Sequence, residues 1–183
     1  AYEIPKRDWS SDVCSSDLLG PNSMGTISPI SGIALTVNTV MESVDLRRGS
    51  TALVSQSGSM IGSLLSRAQA RGHAFSRLVA VGNEADLGVG EVVDLLVDDP
   101  ATQAILLFLE AIRAADELAR AARRAYDAGK PVIAYKLGHS EAARDLAAAH
   151  SGALAGPREN ATAFFRHHGI VEVDCFESLF EIV

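Results

Sequence analysis

The chain has 183 residues, 48% of them apolar and 21% charged, so it is long enough to bury one hydrophobic core. Its net charge of −7 argues against a nucleic-acid surface, and its longest apolar run, Ala104 to Leu109, is too short to cross a membrane. The two cysteines, Cys14 and Cys175, have neither disulfide-framework nor zinc-ligand spacing, which is typical of a reducing, cytoplasmic setting.

Residues 1–18 differ in composition from the rest of the chain and contain a Ser/Asp-rich run without apolar periodicity. The stretch from Asp8 to Leu18 resembles the in-frame translation of a short-read sequencing adapter, so we predict that this segment is non-native and exclude it from fold reasoning. A natural disordered arm is the alternative. The nucleotide sequence across the junction of Leu18 and Leu19 distinguishes the two.

From Thr51 onward, short apolar runs alternate with Ala-rich amphipathic stretches, the pattern of βα units on a parallel sheet. The predicted strands are Thr51 to Ser55, Leu78 to Val81, Ala104 to Leu109, Pro131 to Tyr135 and Ile170 to Val173. The predicted helices are Met60 to Arg71, Val89 to Leu96, Asp116 to Ala128, Glu141 to Ala149, Asn160 to His168 and one beginning at Phe176. The sequence therefore predicts an α/β fold.

Residues 19–50 contain the run Gly20 to Gly25 and little else of strong character, so we expect the end of a preceding domain and a linker. The predicted organisation places one domain at 51–156 and the start of a following segment at 157–183. We expect the chain to be truncated at both ends.

The segment Ser55-Gln56-Ser57-Gly58-Ser59 follows the first predicted strand and turns directly into a helix. Unpaired backbone N–H groups, the positive end of the helix dipole and serine hydroxyls make this position suitable for an anion. Gly58 permits close approach of a phosphoryl group. A serine-rich helix cap without further function is the alternative.

His150 follows an alanine-rich helix and precedes a glycine-rich stretch, so we expect it on a loop, where an imidazole can act as a nucleophile towards phosphorus. Glu110 ends the most apolar strand, at the edge where open α/β sheets bind ligands, and is the natural partner to orient the imidazole. The alternatives are a surface histidine and a helix-capping glutamate.

Seven motifs occur in one order: Gly-Pro-Asn-Ser-Met-Gly, Val-Ser-Gln-Ser-Gly, Gly-Asn-Glu-Ala-Asp-Leu, Asp-Asp-Pro, a strand ending in Glu, Lys-Pro-Val and His-Ser-Gly-Ala-Leu-Ala-Gly. This ordered set resembles the NDP-forming acyl-CoA synthetases, the superfamily of succinyl-CoA synthetase and ADP-forming acetate-CoA ligase. The resemblance runs from about Leu19 to the end of the chain. It implies a flavodoxin-like parallel sheet with helices on both faces, between a CoA-binding domain and an ATP-grasp domain or subunit. On this resemblance, residues 19–50 are the end of the CoA-binding domain plus a linker, 51–156 the flavodoxin-like CoA-ligase domain and 157–183 the start of the following ligase segment.

The resemblance also implies a reaction in which acyl-CoA, phosphate and NDP become free acid, CoA and NTP, through an acyl phosphate and a phosphohistidine. His150 matches the phosphorylated histidine and Glu110 the carboxylate that orients it. The matching phosphate-binding residues are Ser55, Gln56, Ser57, Gly58 and Ser59, and the matching CoA-binding residues are Gly20, Pro21, Asn22 and Ser23.

The implied cofactors are CoA and ADP or ATP with Mg²⁺, bound mainly by other domains, and an oligomer is expected. Some family members have Cys at the position of Ser23, and His-Ser-Gly here replaces the commoner His-Thr-Gly. Neither difference removes a group that the chemistry needs.

Two other functions remain open. The first is a ligand-sensing, synthetase-like regulatory region of a protein lysine acetyltransferase, in which the phosphorylatable histidine is often lost. The second is a flavodoxin-like nucleotide or flavin binder, which needs an aromatic residue to stack on a flavin. The presence of His150 weighs against the first, and the lack of aromatic residues near Ser55 to Ser59 weighs against the second.

Overall fold

A computed structural model of the chain describes residues 18–39, 45–138 and 158–183. The predicted non-native segment up to residue 17, the helix expected at 141–149 and His150 lie outside these residues. The strands in the described part are β1 (Gly25–Ser28), β2 (Ile33–Thr36), β3 (Arg48–Ser55), β4 (Phe75–Ala80), β5 (Ala104–Leu109), β6 (Val132–Lys136) and β7 (Val171–Val173). The helices there are α1 (Gly58–Ala70), α2 (Val89–Asp98), α3 (Ala115–Asp127), α4 (Arg158–His168) and α5 (Ser178–Glu181).

The strands form one sheet in the order β2-β1-β4-β3-β5-β6-β7. β3 pairs in parallel with both β4 and β5, and β6 and β7 continue the sheet in the same direction. The chain therefore moves to one side of β3 to form β4 and to the other side to form β5. This reversal is the topological switch point of flavodoxin-like sheets, where ligands bind outside the carboxyl ends of the strands.

Both faces of the sheet are covered by helices, which confirms the predicted fold class. In β5 all six residues are buried, and their side chains alternate between two apolar cores. Leu106 and Phe108 pack in the core that contains α1 and α5, whereas Ile105, Leu107 and Leu109 pack in the core of α2, α3 and α4. A strand that is buried on both faces has a continuous apolar sequence, so the bounds of β5 were predicted correctly.

β4 begins three residues before its predicted start at Leu78, because polar side chains interrupt the apolar pattern there. The hydroxyl of Ser76 is buried and lies 2.8 Å from that of Thr102, and Arg77 forms an ion pair with Asp99 at 3.4 Å. This hydrogen bond and this ion pair offset the free-energy cost of burying polar groups in the strand. They come from residues more than twenty positions away, so local sequence does not reveal them.

No strand was predicted between residues 19 and 50, yet β1 and β2 form a hairpin at the edge of the sheet. β1 pairs antiparallel with β4, and its Ile27 is buried in the α1 core. Gly25 has φ +86°, and a Cβ atom there would collide with the carbonyl oxygen of Leu35. The assignment of 19–50 to a preceding domain and linker stays a prediction.

Candidate active site

The loops after β3 and β5 lie side by side at the switch point, because β3 and β5 are neighbours in register. The loop after β3 carries the predicted phosphate-binding residues, and the loop after β5 begins with Glu110. The backbone N–H of Gln56 donates to the carbonyl of Phe108 at 3.1 Å and joins the loop after β3 to the end of β5. The sheet thus brings together two predicted groups that are about fifty residues apart in sequence.

The first turn of α1 begins without a side-chain cap. Ser57 occupies the N-cap position in an extended conformation, but its side chain makes no capping hydrogen bond. The hydroxyls of Ser57 and Ser59 lie 3.3 Å apart, and Ser59 is exposed. The N–H groups of the first helical turn have no carbonyl partners within the helix, so these groups and the two hydroxyls suit an anionic oxygen.

Ser55 and Gln56 shape this loop from inside the protein. The Ser55 hydroxyl is fully buried, donates to the carbonyl of Ser57 at 2.7 Å and accepts from the N–H of Ser57 at 3.1 Å. Gln56 is 5% exposed and uses both its backbone N–H and its side-chain amide within the protein. In this arrangement the donors suited to a phosphate come from Ser57, Gly58 and Ser59.

Glu110 is buried, with 7% of its surface exposed, directly after the last residue of β5. Its backbone N–H donates to the side-chain oxygen of Gln56 at 2.5 Å. Among the described residues, no side chain forms a hydrogen bond or an ion pair with the Glu110 carboxylate. The carboxylate therefore lies at the carboxyl edge beside the α1 loop, and its orienting role towards His150 stays a prediction.

Glu84, in the loop after β4, is a site residue that sequence reasoning did not select. Its side chain is 5% exposed, and one carboxylate oxygen accepts from the amide nitrogen of Gln56 and lies 3.3 Å from Nε of Arg113. The other oxygen accepts from the backbone N–H of Val89 at 2.9 Å, at the start of α2. These partners compensate the burial of the charge. Glu84 has φ +55°, a conformation uncommon for a non-glycine residue and frequent at functional loops.

The segment Gly20 to Gly25 runs along this β4–α2 loop. Asn83 and Ala85 donate backbone hydrogen bonds, each 2.8 Å, to the carbonyls of Pro21 and Gly20, and the Ser23 hydroxyl donates to the carbonyl of Ala80 at 2.5 Å. A Cβ atom on Gly82 would collide with the carbonyl oxygen of Pro21. The predicted CoA-binding residues thus lie against the loop that holds Glu84.

Met24 brings the same segment to the first turn of α1. A Cβ atom on Gly58 would come within 2.7 Å of Met24 Cβ, so only glycine permits this approach. The glycine predicted to admit a phosphoryl group therefore also admits the segment of residues 20–25.

Lys136, at the end of β6, is a second buried charge that the sequence analysis did not select. It is 8% exposed, and its ammonium donates to the carbonyl of Leu137 at 3.2 Å. Burial lowers the pKa of Lys136 from its usual value, and the negative charge of Glu172 partly opposes that effect. Lys136 directly follows the strand predicted at Pro131 to Tyr135, so its position at the carboxyl edge was available from the sequence, whereas its burial was not.

The sequence and structure of the chain were compared with those of known proteins. Residues 48–183 match the family model of the succinyl-CoA ligase-like flavodoxin domain. The chain belongs to the NDP-forming acyl-CoA synthetase family. The matched range begins with β3 and includes all five parallel strands, so the family domain contains the switch point and the loops described above.

Among curated relatives, a trans-feruloyl-CoA synthase, FCS1, from an unknown prokaryotic organism is 35% identical over 89% of this chain and 23% of its own length. The ADP-forming acetate–CoA ligase I of Archaeoglobus fulgidus is 32% identical over 90% of this chain and 23% of its own length. The chain thus spans about a quarter of the length of these relatives. It is homologous to acyl-CoA ligases that differ in substrate.

Among solved structures, the dinucleotide-forming acetyl-coenzyme A synthetase 1 of Ca. Korarchaeum cryptofilum, in complex with phosphate and ADP, superimposes with a TM-score of 0.77. It is 29% identical to this chain, and the alignment covers 90% of this chain and 35% of that protein. Within the described residues, no helix is long and apolar enough to cross a membrane.

Proposed function

We propose that the chain is the flavodoxin-like ligase portion of a cytoplasmic acid–CoA ligase that forms a nucleoside triphosphate. The overall reaction converts acyl-CoA, phosphate and NDP into carboxylic acid, CoA and NTP, and it is reversible. The observation that carries the proposal is the proximity of an uncapped helix N-terminus and a buried glutamate at the switch point of the sheet. The phosphate and ADP complex of the relative from Ca. Korarchaeum supports the same class of ligands.

The proposed chemistry has three transfers. Phosphate oxygen attacks the thioester carbonyl of acyl-CoA, so the C–S bond breaks and CoA leaves as the thiol. An imidazole nitrogen of His150 then attacks the phosphorus of the acyl phosphate, and the carboxylate leaves. Finally, the terminal phosphate oxygen of NDP attacks the phosphohistidine, which releases neutral imidazole and forms NTP.

Each site residue has a proposed part in these transfers. The N–H groups of Gly58 and Ser59 and the hydroxyls of Ser57 and Ser59 bind the phosphoryl oxygens, where the helix dipole favours negative charge. Glu110 stabilises the cationic imidazole ring that exists while phosphorus is bonded to His150. Gly20, Pro21, Asn22 and Ser23 border the CoA thioester, and an ATP-grasp domain or subunit binds the nucleotide with Mg²⁺.

Substitution of His150 tests the proposal. In the full-length protein, His150→Ala should abolish the labelled phosphoenzyme that forms from radiolabelled ATP, because the chain then lacks its nitrogen nucleophile. His167→Ala is the matched control, since His167 is an exposed histidine near the end of α4 and should leave the phosphoenzyme unchanged. Acid-labile, protein-bound phosphate that persists in His150→Ala would refute the assignment.

A further inference from the structure

The side chain of Gln56 joins the loops after β3 and β5 through one amide group. Its oxygen accepts from the backbone N–H groups of Glu110, at 2.5 Å, and of Ala111, at 2.9 Å. Its nitrogen donates to the carbonyl of Ala111 at 2.7 Å and to the carboxylate of Glu84. All the partners belong to the loops after β4 and β5, so one buried side chain spans the switch point.

These partners determine which way the amide points. The oxygen faces two N–H donors, and the nitrogen faces two acceptor oxygens. A flipped amide would put donors against donors and acceptors against acceptors, with the loss of all four hydrogen bonds. The amide therefore has a single compatible orientation, and the backbone at Glu110 is fixed relative to the loop that starts α1.

Glu84 holds the amide in that orientation from the third loop. Its carboxylate is itself fixed by the N–H of Val89 and by the guanidinium of Arg113. Arg113 lies three residues after Glu110, so the ion pair links the loop after β5 to the loop after β4 a second time. A hydrogen-bonded charge of this kind, in a buried position, resists displacement.

We propose that Gln56 is a positioning residue, which sets the backbone at Glu110 so that its carboxylate orients His150 during phosphoryl transfer. The inference rests on the proposed function and goes beyond the expected phosphate-binding part of Gln56. Since all donors of Gln56 are used within the protein, its loss should slow the transfer without weakening the binding of phosphate.

The experiment is a double-mutant cycle in the full-length protein, with Gln56→Met as the apolar replacement of similar shape. We expect Gln56→Met to lower the single-turnover rate of His150 phosphorylation by roughly 10-fold to 100-fold, as for other residues that orient a reacting group. The KM for phosphate should change by less than about 3-fold, because no group that binds phosphate is removed. In Gln56→Met/Glu110→Gln the rate should equal that of Glu110→Gln alone.

Gln69→Met is the matched control. Gln69 is a buried glutamine of α1 whose amide donates to the carbonyl of Asp45 at 3.0 Å, away from the carboxyl edge. It should leave the phosphorylation rate unchanged. An equal loss of rate in this variant would show that loss of a buried amide acts through general instability, and it would overturn the inference.

If Gln56→Met does not fold, the charge-conserving exchange Gln56→Glu/Glu84→Gln carries the same cycle. It keeps the oxygen that accepts from Glu110 and Ala111, and it removes the donor to the carbonyl of Ala111 without adding a charge. If the double variant loses rate by the product of the two single-variant losses, Gln56 and Glu110 act independently, because independent effects are additive in free energy. That result would overturn the positioning role of Gln56 but not the proposed function. Absence of a phosphoenzyme in the unsubstituted protein would overturn the proposed function and this inference together.

Discussion

Glu110 is a buried residue whose carboxylate has no hydrogen-bond or ion-pair partner among the described residues. The residue is 7% exposed at the end of β5, and its backbone N–H donates to the side chain of Gln56. Within the described residues, no contact of this carboxylate stabilises the fold. The same location suits a group that must stabilise a transient positive charge on an imidazole.

Replacement of Glu110 by Gln tests this role at the residue scale. The amide keeps the shape and loses the charge, so phosphoryl transfer to and from His150 should slow by about 10²-fold or more, while the melting temperature changes little. Asp116→Asn removes the same charge from the exposed first turn of α3 and is the control. Unchanged turnover with a lowered melting temperature in Glu110→Gln would show that Glu110 only supports the fold.

At the scale of elements, α1 has two neighbours at its first turn: the loop after β3 and the segment of residues 20–25. Met24 approaches the backbone of Gly58 so closely that a methyl group there has no room. Close packing of this kind makes the position of one element depend on the other. A shift of the predicted CoA-binding segment therefore requires a shift of the predicted phosphate-binding helix.

Gly58→Ala should lower the free energy of unfolding by about 1–3 kcal/mol, because the added methyl group overlaps Met24. Met24→Ala in the same chain should recover part of this loss, and chemical denaturation of the two single variants and the double variant measures the coupling. Ser63→Ala, at an exposed position of α1, is the control and should change stability by less than about 0.5 kcal/mol. Additive losses in the double variant would contradict the proposed contact.

For the whole molecule, the order of the strands decides where chemistry can occur. β3 and β5 are adjacent but are followed by connections to opposite sides, so their carboxyl ends border a crevice. The chain spans 23% of the length of the two curated relatives described above. The proposed function assigns the nucleotide and most of CoA to other domains.

The 183-residue chain by itself should therefore form no ATP from acyl-CoA, phosphate and ADP, whereas the full-length protein should do so. A coupled assay of ATP formation with both proteins at equal concentration tests this expectation. Synthesis of ATP by the chain alone would show that the proposed division of the site between domains is wrong.

Much of the architecture followed from local sequence. The apolar run of β5, the alternation of strands and amphipathic helices, and the glycines that end α1, α3 and α4 were sufficient to predict five parallel strands and helices α1 to α4. These signals are local, because each arises from burial or backbone conformation within one element. The serines at the start of α1 and Glu110 were selected for the same reason, since each directly follows a predicted strand.

Other features were decided only by tertiary structure. The hairpin of β1 and β2 depends on pairing with β4, and Arg77 and Ser76 are tolerated in β4 because of partners on distant loops. Glu84 was missed because its partners are distant in sequence. It accepts a hydrogen bond from Gln56 and pairs with Arg113, which lie about thirty residues before and after it. Hydrogen bonds between loops depend on the order of the strands in the sheet, so no periodicity or spacing in the chain indicates them.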